Sequence, residues 1–168
     1  MPSNVQILGT GQLITLSRRL RTAGGPRLRQ NVARRIRRAA EPLQRDLQRS
    51  IRTVQLPGSG RKVSGGPSPT TRPLRATLAG AVRISVRQGG SPGARVWLDK
   101  SRLLADLRNM PWVIETGRVR HPVFGNRSRW ATQWARPTGW WSKTVQAGTP
   151  RMRAEIERVL GDVRRDLQ

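Results

Sequence analysis

Residues 26–51 read PRLRQNVARRIRRAAEPLQRDLQRSI, and the spacing of their apolar positions decides the fold. Leu28, Val32, Ile36, Ala39, Ala40, Leu43, Leu47 and Ile51 recur at helical intervals. At 100° per residue they occupy an arc of about 140°. Arg34, Arg35, Arg37, Arg38, Arg45 and Arg49 fall on the opposite side. Pro26 suits the first turn of a helix, and Gly24-Gly25 stops whatever precedes it. Pro42 has no backbone N–H to give, so it kinks this helix without ending it. The stretch predicts a long amphipathic helix with one face for a core and one for solvent or a partner.

Working outward, Val5–Leu8 is a short apolar run closed by Gly9-Thr10-Gly11 and predicts an edge strand with a turn. Leu13, Leu16 and Leu20 predict a small helix ending at the Gly pair. On the other side, LPGSGRKVSGGPSPTTRP over 56–73 is too rich in Gly, Pro, Ser and Thr to bury much, and predicts a flexible loop at 57–73. Leu74–Ala79 predicts a helical turn. Val82, Ile84 and Val86 alternate with Arg83, Ser85 and Arg87, the period-two pattern of a half-buried strand, and Ala94–Leu98 returns after a Gly/Pro turn. A short helix is predicted over Ser101–Asn109 with Leu103, Leu104 and Leu107 inward. Trp130–Ala135 reads as extended, and Pro137-Thr138-Gly139 as a turn. A last helix is predicted from Thr149, as cap before Pro150, to Leu167, with Met152, Ile156, Val159, Leu160, Val163 and Leu167 on one stripe. The sum is an α+β fold over 1–168 as a single domain: a small antiparallel sheet packed by a long kinked N-terminal helix and a C-terminal helix, with long loops.

Composition narrows the chemistry. The 168 residues carry 33 Lys and Arg against 9 Asp and Glu, a net charge of +24. Only 37 residues are Leu, Ile, Val or Phe, so the core is thin for so charged a chain. The absence of Cys excludes disulfides, thiolate metal sites and a cysteine nucleophile. His121 is the sole histidine, which excludes clusters of imidazole ligands. The first basic residue is Arg18 and no apolar run nears ~18–20 residues, so neither a leader peptide nor a membrane span is expected. Positive charge prevails from Ser17 to Ala147, while 148–168 balances five bases with four acids. Self-repulsion on this scale favours a polyanion or an acidic protein as neighbour. The Arg face of the long helix reads first as a solvated face, next as a contact for acidic protein, and last as a contact for DNA phosphates. No helix-turn-helix, zinc-finger or aromatic RNA-binding signature accompanies it, which argues against base-specific recognition.

Trp130 and Trp134 stand four apart, on one face of an extended segment, where Trp97 and Trp112 are positioned to meet them across a sheet. Packing in a core or an interface explains them better than stacking on single-stranded nucleic acid. Trp140 and Trp141, if on a strand, point opposite ways, making one of them an interface anchor. Catalysis has little to stand on. His121 lies between Arg120 and Pro122, and the nearest upstream carboxylate is Glu115. No triad order or paired carboxylates are evident, and GSGRK at 58–62 lacks the spacing of a phosphate-binding loop. No catalytic residue, cofactor or metal is expected.

The stretch RHPVFGN (120–126), the pair Trp130-x-x-x-Trp134, and RPTGWW (136–141) before a single C-terminal amphipathic helix resemble the tail-completion, or minor tail, proteins of long-tailed actinobacterial bacteriophages. The element order of the first half is similar to theirs as well. This resemblance implies a structural virion component of the neck that is not an enzyme. It implies a ring, usually of six copies or a multiple, made in the host cytoplasm and joining the head connector to the tail tube. Its partners would be copies of itself and neighbouring neck and tail-tube proteins, with the surplus charge facing either the viral double-stranded DNA of the lumen, nonspecifically, or acidic neighbouring rings; no membrane is involved. The motif positions it points to are His121, Pro122, Val123, Phe124, Gly125, Asn126, Pro137, Gly139, Trp140 and Trp141. Read physically, Gly125 and Gly139 allow tight turns, Pro122 and Pro137 stiffen loop entry, and Phe124 with Trp140 supplies buried area. Two rival classes stand beside it. One is a basic protein that binds nucleic-acid backbones without specificity; the other is a small metal-dependent hydrolase using Asp106 or Glu115.

Overall fold

A computed structural model describes residues 4–8, 25–56, 73–87, 93–123 and 126–166. The predicted small helix at 13–20, the loop at 57–72, the turn at 88–92, Phe124, Gly125 and Leu167 lie outside the described residues. The chain divides into two compact units, 1–46 with 82–98 and 145–168, and 47–81 with 99–144. Helix α1 (Pro26–Thr53) and helix α4 (Ser142–Asp166) each give residues to both.

The first unit holds the three-stranded antiparallel sheet, ordered β1 (Asn4–Leu8), β3 (Gly93–Leu98), β2 (Val82–Arg87). The apolar run at the N-terminus therefore is the edge strand that its sequence predicts. Val82 pairs with Leu98, Ile84 with Val96 and Val86 with Ala94, so the alternating pattern puts one apolar row on one face. Arg83, Ser85, Arg95 and Trp97 share the other, where the Arg95 guanidinium sits 5.2 Å from the centre of the Trp97 ring. Helix α1 begins at Pro26 and runs through Pro42. Its Val32, Ile36, Ala39, Ala40 and Leu43 are buried, as the periodicity requires. Gln44 Nε2 donates to Val82 O at 2.8 Å, tying the helix to the sheet's first residue. Met152, Ile156, Val159, Leu160 and Val163 of α4 complete the buried set. The two helices approach so closely that a Cβ on Gly148 would meet Leu43 Cδ1 at 2.7 Å. They are also joined by Arg35 and Asp162, 2.6 Å apart.

Helix α4 departs from expectation. It starts at Ser142, seven residues before Thr149, so Thr149 and Pro150 lie inside it and cap nothing. Thr149 Oγ1 donates back to Val145 O at 2.7 Å, and Pro150 removes a single ladder hydrogen bond from an otherwise continuous helix.

The second unit contains the end of α1, α2 (Leu74–Gly80), α3 (Met110–Thr116) and a two-stranded ribbon of β4 (Arg118–Val123) and β5 (Asn126–Trp134). The small sheet expected from sequence is thus joined by a second one. Leu47, Ile51, Val54, Leu78, Ala79, Leu103, Ile114, Ala135 and Trp140 are buried here. Arg75 caps the end of α1, its Nη1 donating to Val54 O at 3.1 Å and Arg52 O at 3.3 Å. The helix predicted over 101–109 is instead two 3-10 turns, Lys100–Arg102 and Ala105–Leu107. Asp99 accepts from Ser101 N and Oγ and tightens the first turn, after which Leu103 is extended and buried while Leu104 faces solvent.

Candidate functional site

The RPTGWW segment is a structural knot in the second unit. Gln55 and Arg136 exchange both backbone hydrogen bonds, at 2.6 and 3.0 Å, immediately before the cis Arg136–Pro137 peptide. Gly139 is buried at φ 75°, a left-handed conformation that favours glycine, and its N–H donates to Glu115 O at 2.9 Å. Trp140 is 3% exposed, with Nε1 donating to Pro111 O at 3.1 Å and its own carbonyl accepting from Ser50 and Thr144. Trp141 is half-buried and meets Trp140 edge-on at 5.5 Å. The pair sits at a helix entry and not on a strand, so the opposed-face reading does not apply; Trp140 is core. Pro137 is exposed.

Glu115 closes this knot. Its carboxylate accepts from Trp141 N at 2.8 Å, Ser142 N at 3.2 Å and Ser142 Oγ at 2.5 Å. A carboxylate on the first N–H groups of α4 satisfies orphan donors and opposes the positive end of the helix dipole. This tertiary cap explains why the helix starts at Ser142. Among the described residues no group of three His, Asp or Glu side chains is placed to hold a metal ion.

The ribbon next to this knot carries the surface of interest. Gly117, at φ 78°, ends α3 and turns the chain into β4; Ala135 N donates to its carbonyl at 2.8 Å. Arg118 pairs with Trp134, Arg120 with Thr132 and Pro122 with Trp130. Because side chains alternate along each strand, Arg118, Arg120, Trp130, Thr132 and Trp134 share one face. Val119, Ala131 and Gln133, on the other, are half-buried. Trp130 and Trp134 are 49% and 57% exposed, and Arg118, Arg120 and Thr132 are exposed too. The Arg120 guanidinium lies 5.4 Å from the Trp130 ring centre, and Trp130 Nε1 donates to Arg127 O at 2.7 Å. Asn126 opens β5 by accepting from Ser128 N and Oγ. His121 pairs with Ala131, and Val123, half-buried, pairs with Asn126 after a register irregularity.

Trp130 and Trp134 thus share a face, as their spacing predicts, but they are surface residues. Trp112 is on helix α3 and Trp97 on the other sheet, so neither joins them as a neighbouring strand would. Arg118 and Arg120 were not singled out in the sequence; their own period-two alternation opposite W-x-x-x-W is the signal that finds them.

On α1, Arg34, Arg37, Arg38, Arg45 and Arg49 are exposed. Arg35 is different: it flanks the face and pairs with Asp162, whose carboxyl is held below the ordinary carboxylate value by its hydrogen bond from Arg165, aided by the charges of Arg35 and Arg165. Gln30, Ala33, Arg34 and Arg37 line an open surface concavity of about 400 Å³. Among the described residues no helix is long and apolar enough to cross a membrane. Comparison with protein-family models, with curated proteins and with solved structures finds no match to this chain.

Proposed function

We propose that this chain is a structural virion protein of the phage neck, a ring-forming tail-completion or head–tail joining subunit between the head connector and the tail tube. It acts by binding copies of itself and adjacent neck and tail-tube proteins, not by chemistry. The observation that carries the reading is the ribbon face: two Trp side chains about half exposed, on one side of a two-stranded sheet, flanked by Arg118 and Arg120. Large aromatic rings beside guanidinium groups are the composition of interface hot spots, where each well-packed anchor contributes about 2–4 kcal/mol. A ribbon of two strands is marginal by itself, and seating it on a neighbour both covers the rings and stiffens the hairpin. The residue-level likeness of RHPVFGN and RPTGWW to tail-completion proteins supplies the neck as the setting. The knot around Trp140 fits that setting as the rigid base of the ribbon.

Mass photometry of the full chain at physiological salt tests this. The expected result is closed rings of defined copy number, and a rise of roughly a hundredfold or more in the self-dissociation constant for Trp130→Ala/Trp134→Ala. A single copy persisting across the concentration range would overturn the reading, as would rings indifferent to removal of both indoles.

A further inference from the structure

We propose that the outer face of α1 is a docking ridge for double-stranded DNA, bound through its phosphates without sequence preference. The inference stands on the first unit alone and does not require the ring. Arg27, Arg34, Arg38 and Arg45 are separated by 7, 4 and 7 residues, which at 100° per residue places all four within about 40° of one another. At 1.5 Å per residue they lie about 10.5, 6 and 10.5 Å apart along a line of about 27 Å. All four are exposed, on the side of the helix directly away from the buried Val32, Ile36, Ala39 and Leu43. Arg27, Arg38 and Arg45 have no ion-pair partner among the described residues, and Arg34 donates to Asn31 Oδ1, a neutral acceptor. Between Arg27 and Arg45 the helix has seven Arg and one acid, Glu41, which is half-buried.

The composition of the ridge selects its ligand. It has no aromatic or large aliphatic side chain, whereas the core of a protein interface is depleted in charge and built on apolar anchors. Without rings to stack on bases, it lacks the platform that single strands need. Rigidly spaced guanidinium groups suit a stiff lattice of phosphates, and Arg binds phosphate strongly through its forked donors. Asn31, a neutral acceptor beside the ridge, has its Oδ1 engaged by Arg34, so the ridge meets its ligand chiefly through cationic donors. Duplex DNA fits each of these features.

The test is a salt titration of full-length protein with a 24-bp DNA duplex, read by fluorescence anisotropy. Four phosphate contacts contribute a slope of about −3.6 in log affinity against log salt, near 150-fold between 50 and 200 mM. Changing Arg27, Arg34, Arg38 and Arg45 together to Gln should remove that increment. Changing Arg87, Arg108, Arg151 and Arg153 to Gln, an equal charge taken from other exposed positions, should alter the slope by less than about one. Equal losses in both variants would show that net charge and not the ridge binds, and would overturn the proposal. The four-Lys ridge variant, its helicity checked by circular dichroism, should keep the slope; losing it while folded would overturn the proposal too. Tighter binding of single strands, of duplex RNA, or of polyglutamate at matched charge would each replace duplex DNA as the ligand and sink the assignment. Ring formation is read separately on the unsubstituted chain, so the neck reading and this one fail independently.

Discussion

The ribbon of the second unit and the outer face of α1 in the first are both exposed and both rich in arginine, yet they differ in what lies between the arginines. On the ribbon, Arg118 and Arg120 alternate with Trp130 and Trp134 across the strand pair. On α1, the positions between Arg27 and Arg45 that face outward are polar or charged. A guanidinium beside an indole loses little on leaving water, because the ring face attracts it, and the indole supplies the apolar area that makes the contact favourable. A guanidinium among polar neighbours acts mainly through its field, over distances set by salt. The same residue type thus marks a salt-tolerant protein contact in one place and a salt-labile polyanion contact in the other.

The largest expected effect that separates the two surfaces comes from Gly117, which turns α3 into β4. A Cβ built there would overlap Thr138 Cγ2 and stand 3.0 Å from Ala135 O, and the backbone is left-handed. Gly117→Ala should cost about 2–3 kcal/mol, a fall in Tm of roughly 5–10 °C, and weaken ring formation through the ribbon. Adding Thr138→Ala, which removes the overlapping methyl, should recover part of the loss and leave the left-handed strain. Duplex affinity should stay within about twofold, since Arg27, Arg34, Arg38 and Arg45 all lie in the other unit. A parallel collapse of duplex affinity would show that the two surfaces are not separable.

Next in size is Glu115→Ala, which strips three hydrogen bonds from the start of α4. A loss of about 1–2 kcal/mol is expected by denaturant melting, with faster amide exchange at Trp141 and Ser142. Glu115→Gln, which keeps an acceptor but loses the charge, should fall between that variant and the unsubstituted chain. Unchanged exchange at both amides would mean that the carboxylate does not hold the helix start in solution.

How far the sequence could be read depends on whether each element is held by its own pattern or by a distant residue. The long helix carries its core stripe from Val32 to Ile51, and strands β2 and β3 carry their alternation, so both were legible. The start of α4 was not. Thr149-Pro150 is a sound local cap signal, but Glu115, some 27 residues upstream of Ser142, holds the true start. The pair Trp140-Trp141 misled for the same reason: strand alternation was assumed where the backbone enters a helix, and the Trp140 indole is fixed by Pro111 O, 29 residues away. For the interaction surfaces, the spacing of Trp130 and Trp134 revealed a shared face but not that it is exposed. Arg34, Arg38 and Arg45 are legible as one face; Arg27, in the first turn, lies beyond the stretch where that face is dense in arginine, and Arg35 is engaged with α4. Periodicity states which side a residue takes; it does not state whether that side is covered.

Arg35 provides the smallest and sharpest probe of the ridge, because it has the charge of its neighbours but a committed partner. Asp162 is held below the ordinary carboxylate value by the Arg165 hydrogen bond first and by the charges of Arg35 and Arg165. A depressed carboxylate contributes stability that is present above its unfolded value and lost as pH falls through its folded one. The contribution should therefore be complete at neutral pH and fade below about pH 4. Asp162→Asn removes that acid-side loss, so the Tm gap between the two chains should narrow as pH drops from 6 toward 2.5. At neutral pH the same variant frees Arg35 beside the ridge, and duplex affinity should rise by a factor of about three at low salt, with a steeper salt slope. A Tm gap constant over the whole range would show that Asp162 acts through packing and not through charge. Unchanged duplex affinity would place Arg35 out of reach of the phosphates, and so confine the ridge to the arginines that point directly away from the core.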